Sequence, residues 1–247
     1  MNIFKKLGST LMIIFTLGCL YFMSKGLVGI GLSYVLIAIH IIRLLLEIVA
    51  AKAIAEKLSI REDIRTEIPR KVAHLLICLV TVPMLYYSFK GTIHSIICSI
   101  IIFGIIIILT KSGFAQKIAT RNGIGTDNIE SVYYLLGGYV INTIISLIVP
   151  QYTIGILLGV VALGLGDPSA CIIGKLFGKH KFKNGKSVEG FIGFIIGATI
   201  GMYLFTHIVI WKLILIAIFG AIAELYSGES DNIMIQLAVA LAAFNIL

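Results

Sequence analysis

Charge is scarce in this sequence. Of 247 residues only 13% are Asp, Glu, Lys or Arg, while 59% are apolar and the mean hydropathy is +1.05. Globular domains usually carry roughly 25% charged residues, so an ordinary water-soluble fold is excluded. Paired cysteine motifs are also lacking. Cys19, Cys78, Cys98 and Cys171 lie in or beside apolar stretches, with no CxxC spacing and no partnered histidine. Neither a zinc site nor a disulfide framework is expected, and the four read as small packing residues. No internal repeat, low-complexity tract or long linker divides the chain, so residues 1–247 are expected to form one membrane domain. Lys5 and Lys6 precede an apolar run, as in a signal peptide, but no convincing cleavage site follows. An uncleaved first helix is therefore expected.

What is present is apolar sequence in blocks, at 7–23, 26–42, 72–89, 91–110, 132–149, 152–165, 191–210, 213–223 and 233–247. A helix needs about 20 residues to cross about 30 Å of hydrocarbon, and most blocks approach that once their flanks are counted. The expected fold class is all-α: a polytopic integral membrane protein with about nine transmembrane helices. With the N-terminus cytoplasmic, stretches 1–6, 51–71, 111–131, 167–190 and 227–231 share one side and hold 16 of the 20 lysines and arginines. The opposite turns hold Lys25, Lys90 and Lys212, and Arg43 lies near the second block. The positive-inside rule then puts the N-terminus inside and the C-terminus outside. The net charge of +8 is thus a topology signal, and no nucleic acid partner is expected.

The outer connections are short (around Lys25, Lys90–Gly91, Pro150–Gln151 and Trp211–Lys212), which predicts tight antiparallel hairpins, whereas the inner ones are long and polar. Long loops carry function more often than short ones. The first inner loop continues the second span as an amphipathic helix. Arg43 and Glu47 stand four apart, as do Lys52 and Glu56, over an apolar stripe of Ala50, Ala51, Ile54 and Leu58. That pattern predicts a helix lying along the inner leaflet. Small residues recur every fourth position in three series: Gly155 and Gly159; Gly193, Gly197 and Gly201; and Ala170, Gly174 and Gly178. Helix packing accounts for the first two.

The third series opens the densest polar stretch. Asp167 before Pro168 predicts a helix start, because Asp caps free amides and proline suits the first helical position. Asp167, Ala170, Gly174 and Gly178 then share one small, flat face. Lys175 and Lys179 follow, then a lysine-rich run through an Asn184–Gly185 turn signal to Lys186, Ser187 and Glu189. Lysines and exposed amides suit phosphates, and a carboxylate suits the Mg²⁺ they carry. A solvated basic loop, or one that attracts acidic lipid headgroups, would read the same way. Two further clusters lie at inner boundaries: Arg70, Lys71 and His74; and Glu224, Asp231 and Asn232. Every acidic residue falls on the inner side or at the inner end of a span. A basic phosphate site embedded in lipid and facing the cytoplasm points to an enzyme acting on a membrane lipid.

The run Asp167, Ala170, Gly174, Gly178, Lys186, Ser187, Glu189, Gly190 resembles the CTP-binding signature of the dolichol kinase, phytol kinase and CTP-dependent diacylglycerol kinase family. Pro168 stands where that family often has alanine, and the basic hairpin is shorter. Arg70-Lys71-x-x-His74 is similar to the family's Arg-Lys-x-x-His segment, and Asp231-Asn232 to its Asp-Asn element, with Glu224 upstream. The resemblance covers residues 67–247. Residues 1–60 match only as generic spans with an interfacial helix.

The resemblance implies phosphoryl transfer from CTP to a lipid alcohol, with Mg²⁺. By analogy, Asp167, Asp231 and His74 are the catalytic candidates. Arg70, Lys71, Gly174, Lys175, Gly178, Lys179, Lys186, Ser187, Glu189 and Gly190 would contact the nucleotide. Asp167, Asp231 and Glu224 would hold the metal. The partners would be the nucleotide and a lipid alcohol such as a polyprenol, dolichol, phytol, geranylgeraniol or diacylglycerol. The alternative is a CTP-dependent lipid-phosphate cytidylyltransferase, whose usual Pro-Gly-His-Gly-Gly and Asp-Arg-x-Asp segments are missing here. A transporter would place its polar groups near the midplane rather than at one face.

Overall fold

The computed structural model of the chain describes residues 14–57, 62–65, 67–89, 92–111 and 127–247. For some helical residues within these ranges, Arg70 and Glu130 among them, only the backbone is described. The expected start of the first helix, the turn at Lys90–Gly91 and most of the inner loop 111–131 lie outside the described residues.

Within the described residues the apolar blocks are helical, in chain order. The helices are α1 (Ile14–Ser24), α2 (Ile30–Ala55), the short α3 (Glu62–Arg65) and α4 (Glu67–Leu76). A π-helical turn (Ile77–Thr81) then leads straight into α5 (Val82–Phe89). Next come α6 (Ile93–Lys111), α7 (Asp127–Ile148), a 3-10 turn (Pro150–Tyr152) and α8 (Thr153–Phe177). The last three are α9 (Val188–Thr206), α10 (Ile210–Tyr226) and, after a 3-10 turn at Gly228–Ser230, α11 (Asp231–Ile246). The all-α expectation holds: among the described residues, β pairing is limited to one isolated bridge between Lys181 and Ser187. Among the described residues, three segments are long and apolar enough to cross a membrane: Ile30–Ala55, Pro150–Phe177 and Val188–Thr206.

α8 runs through the centre, with residues from Gly155 to Gly164 buried without a break. Its glycines let neighbours approach to backbone contact. A Cβ on Gly155 would stand 2.9 Å from Ala240 Cα, and one on Gly159 2.7 Å from the Gln236 carbonyl, so α11 lies directly on α8. The other stripe faces α8 from α9: a Cβ on Gly193 would meet the Ser169 carbonyl at 3.1 Å, and one on Gly201 the Val161 side chain at 3.1 Å. One position earlier, Ile192, Ile196 and Ile200 point outward and are about half exposed. Small residues inside and branched aliphatics outside suit a helix packed in lipid, where close van der Waals contact drives association.

Two expectations need correction. Asp167 does not start a helix: α8 continues unbroken through Asp167 and Pro168 to Phe177. The proline removes one backbone bond, but the packing of α8 against its neighbours holds the rod together, as membrane helices tolerate. The Asp167 carboxylate therefore projects from mid-helix and is free to pair with other side chains. The amphipathic stretch after the second span runs on from it as a helix, as the sequence predicts. It is the continuation of α2 to Ala55, and its Arg43 is 7% exposed. Finally, the last outer turn lies at residues 207–209, so Trp211 and Lys212 belong to the first turn of α10.

Candidate functional site

The ends of α8 and α10, the starts of α9 and α11, and α4 gather at one end of the bundle, and the polar residues gather with them. Asp167 is 8% exposed and lies against α4. Lys71 Nζ stands 2.6 Å from Asp167 Oδ2, and His74 Nδ1 stands 3.3 Å from the same oxygen. Lys71 and His74 can both reach it because residues three apart share a helix face. Lys71 and His74 are buried to the same degree as the carboxylate. This is a charged constellation inside protein, where each charge depends on its partners.

The basic hairpin folds over this end. Gly185 closes the turn at φ +84°, a left-handed conformation that suits glycine. The Phe182 amide donates to the Lys186 carbonyl at 2.8 Å, and the Val188 amide to the His180 carbonyl at 2.9 Å. Ser187 caps α9, its hydroxyl accepting from the Gly190 amide at 3.1 Å. Glu189 clasps the hairpin base: its carboxylate lies 2.7 Å from His180 Nδ1 and also accepts from the His180 amide. Lys179, Lys181 and Lys183 are exposed, whereas Lys186 turns inward. Its Nζ lies 2.7 Å from Glu224 Oε1 and also donates to the Glu224 carbonyl. Beside it, the Asn184 side chain donates to the Leu225 carbonyl. The hairpin is thereby pinned to the end of α10.

Asp231 opens α11 just ahead of the apolar span 233–247. Its carboxyl is pushed up to about 6, first by burial and then by the facing charge of Asp167, while Lys186 and Lys71 act the other way and Glu224 adds to the rise. Asp231 thus lies within electrostatic reach of both lysine–carboxylate pairs. Asn232 behind it is 4% exposed, and its carbonyl accepts from Gln236 at 2.8 Å.

The sequence-selected residues fall into three groups. Lys71, His74 and Asp167 converge, and Lys186, Glu224 and Asp231 lie beside them. Gly174, Gly178, Ser187 and Gly190 come together instead as the contact between α8 and α9. A Cβ on Gly174 would stand 2.9 Å from Ser187 Oγ, and one on Gly190 would stand 3.0 Å from the Ala170 carbonyl. The flat face is covered by the next helix, so all three small-residue series serve packing. Lys175 sits half-buried on the last turn of α8, and Lys179 lies outside on the hairpin. The Arg70 side chain lies outside the described residues. Asn184 had been read only as a turn signal; the Asn-Gly pair marked the turn but not its bond to α10.

The chemistry of the donor set fits a metal ion carried by a phosphate. Mg²⁺ is usually held by one or two carboxylates plus phosphate oxygens, and Asp167 and Asp231 supply that number. Among the described residues no three His, Cys, Asp or Glu side chains form a cage able to hold an ion without substrate. Glu224, the third metal candidate, is the partner of Lys186.

Comparison with known proteins gives two matches. A family model described as the cytidylyltransferase family matches residues 10–245. Dolichol kinase sec59 of Schizosaccharomyces pombe is 32% identical over 199 residues, 71% of this chain and 39% of that protein. The chain thus spans well under two thirds of that relative's length. No solved structure matches.

Proposed function

This chain belongs to the cytidylyltransferase family, and on that premise we propose that it is a membrane kinase transferring a phosphoryl group from CTP to the hydroxyl of a lipid alcohol. The observation that carries the reading is the buried Lys71–Asp167–His74 constellation, set beside Lys186–Glu224 with Asp231 in reach of both. The likeness to a dolichol kinase supports the same reaction class. So does the signature from Asp167 to Gly190. The basic distribution supports a multi-pass chain with this end of the bundle in the cytoplasm, where nucleotides are abundant.

Phosphoryl transfer needs mainly positioning and neutralisation of charge. In the resting chain each lysine is held by a carboxylate. An arriving triphosphate offers Lys71 and Lys186 stronger acceptors, and each exchanges one charge-assisted bond for another. Breaking a buried pair without such a replacement costs about 3–5 kcal/mol, so Lys71 leaves Asp167 only when phosphate is there to receive it. Asp167 and Asp231 would hold Mg²⁺, which would supply charge neutralisation at the phosphates. His74, beside Asp167, would orient the acceptor hydroxyl or take its proton. The exposed lysines of the hairpin draw the polyanion in. The acceptor class is a lipid alcohol such as a polyprenol, dolichol, phytol, geranylgeraniol or diacylglycerol, whose hydroxyl lies at the interface.

A second reading, CTP-dependent formation of a CDP-lipid from a lipid phosphate, is favoured by the family's description. The two reactions break different bonds of CTP. Purified protein given Mg²⁺, mixed lipid alcohols and phosphatidate, with CTP labelled at the α or the γ phosphate, separates them. The kinase carries γ label into the organic phase. Label from α alone would replace it with the cytidylyltransferase.

A further inference from the structure

The charged end of the bundle provides for a hydroxyl and a triphosphate, but an acceptor lipid also needs a place for its chain. A cavity of about 240 Å³ lies between α1, α2 and α5, lined in part by Phe15, Cys19, Ile39, His40, Arg43 and Met84. Its polar neighbours are turned toward other residues. Arg43 Nε lies 2.9 Å from Glu47 Oε1, and His40 Nε2 lies 3.0 Å from Thr81 Oγ1, leaving Nδ1 of His40 unanswered. The walls are therefore almost wholly apolar. Met84 closes the floor at 1% exposed, whereas Phe15 and Ile39 at the rim are 47% and 43% exposed. The cavity opens sideways onto the surface that lipid would cover.

Its position relative to the charged site follows from one rod. His74, against Asp167, and Thr81, against His40, lie seven residues apart on the helix formed by α4 and the π turn. At 1.5 Å rise per residue that is about 10 Å. A fully extended chain covers about 1.2 Å per bond, so about eight bonds join a hydroxyl at His74 to the cavity mouth. The cavity takes about eight methylene-sized groups, at about 30 Å³ each. π turns inside helices are often found at functional positions, and this one stands between the two sites.

We infer that this cavity seats the apolar chain of the lipid acceptor, an inference that rests on the kinase reading above. The cavity holds the second eight-carbon segment of a chain whose hydroxyl lies at the Lys71–Asp167–His74 cluster, and the remainder passes out between Phe15 and Ile39. Because the chain leaves lipid rather than water, what selects it is fit and van der Waals contact rather than the hydrophobic effect.

The test compares geraniol, whose main chain stops short of the cavity, with geranylgeraniol, whose main chain fills it. With γ-labelled CTP and purified full-length protein in detergent, wild type should show a KM for geranylgeraniol at least fivefold below that for geraniol. Cys19→Trp, which fills the cavity, should shrink that ratio below twofold while leaving the KM for CTP unchanged; the unchanged KM excludes a folding defect. A ratio that survives Cys19→Trp overturns the inference. A second readout does not need turnover: a long-chain alcohol with a photoreactive group near its twelfth carbon should label α1, α2 and α5, and geranylgeraniol should compete. Labelling elsewhere, or equal competition by phosphatidylcholine, would overturn the assignment. If wild type transfers no γ label to any alcohol, the kinase reading fails, while the photolabel still decides the cavity's occupant.

Discussion

The two lysine–carboxylate pairs at the charged end differ in burial, and the difference separates two kinds of work. Lys71 and Asp167 are only 6% and 12% exposed at the side chain, join two packed helices and share their oxygen with His74. Lys186 and Glu224 meet at the same N–O class of distance, but Lys186 is 32% exposed and rides on a hairpin. A buried pair is expensive to break and a half-exposed one is not. On the proposed reading the first pair therefore parts only when a phosphate takes over Lys71. The second is a half-exposed contact that a nucleotide would open at little cost on the same reading.

That contrast can be broken by substitution. The largest effect should come from Asp167→Asn, which removes the shared carboxylate: turnover should fall about 100-fold or more, on the scale of losing one transition-state group. Full turnover in correctly folded protein would remove Asp167 from the chemistry. Lys71→Met comes next and should act on two readouts. It leaves Asp167 with His74 but without its closest cation, so thermal unfolding in detergent should lose about 3 kcal/mol of stability. Catalytic efficiency should also fall at least tenfold. An unchanged melting temperature would show that the pair is not structural. Lys186→Ala should be milder and of another kind: the KM for CTP should rise about tenfold, the scale of one hydrogen bond to a charged group, with kcat changed less than threefold. An unchanged KM would confine Lys186 to topology. The smallest effect is expected for His180→Ala. The His180 side chain is 79% exposed in its contact with Glu189, so steady-state constants should move less than twofold.

Much of this arrangement was legible in the sequence, and the residues show why. Among the described residues the apolar blocks are helical because lipid imposes one secondary structure on long apolar runs. The stripes at Gly155–Gly159 and Gly193–Gly201 were readable because a four-residue period is one helix face. Asp167–Pro168 misled because the capping rule is local, whereas α8 is held straight by neighbours distant in sequence. The series at Ala170, Gly174 and Gly178 reads in sequence as a small, flat face, and its cover, Ser187 and Gly190, arrives only after the hairpin folds back. The pairing of Lys186 with Glu224, 38 residues apart, is tertiary and leaves no mark on either motif. The π turn at Ile77–Thr81 carries no distinctive residue pattern either.

The central claim is that the two pairs serve one bound nucleotide. A double-mutant cycle of Asp167→Asn and Lys186→Ala, read as kcat/KM for CTP, tests it directly. Residues acting on one ligand couple, whereas independent sites add. The double variant should lose at least fivefold less than the product of the two single losses. Losses that simply multiply would mean that the pairs act independently, and the single-site account would be wrong.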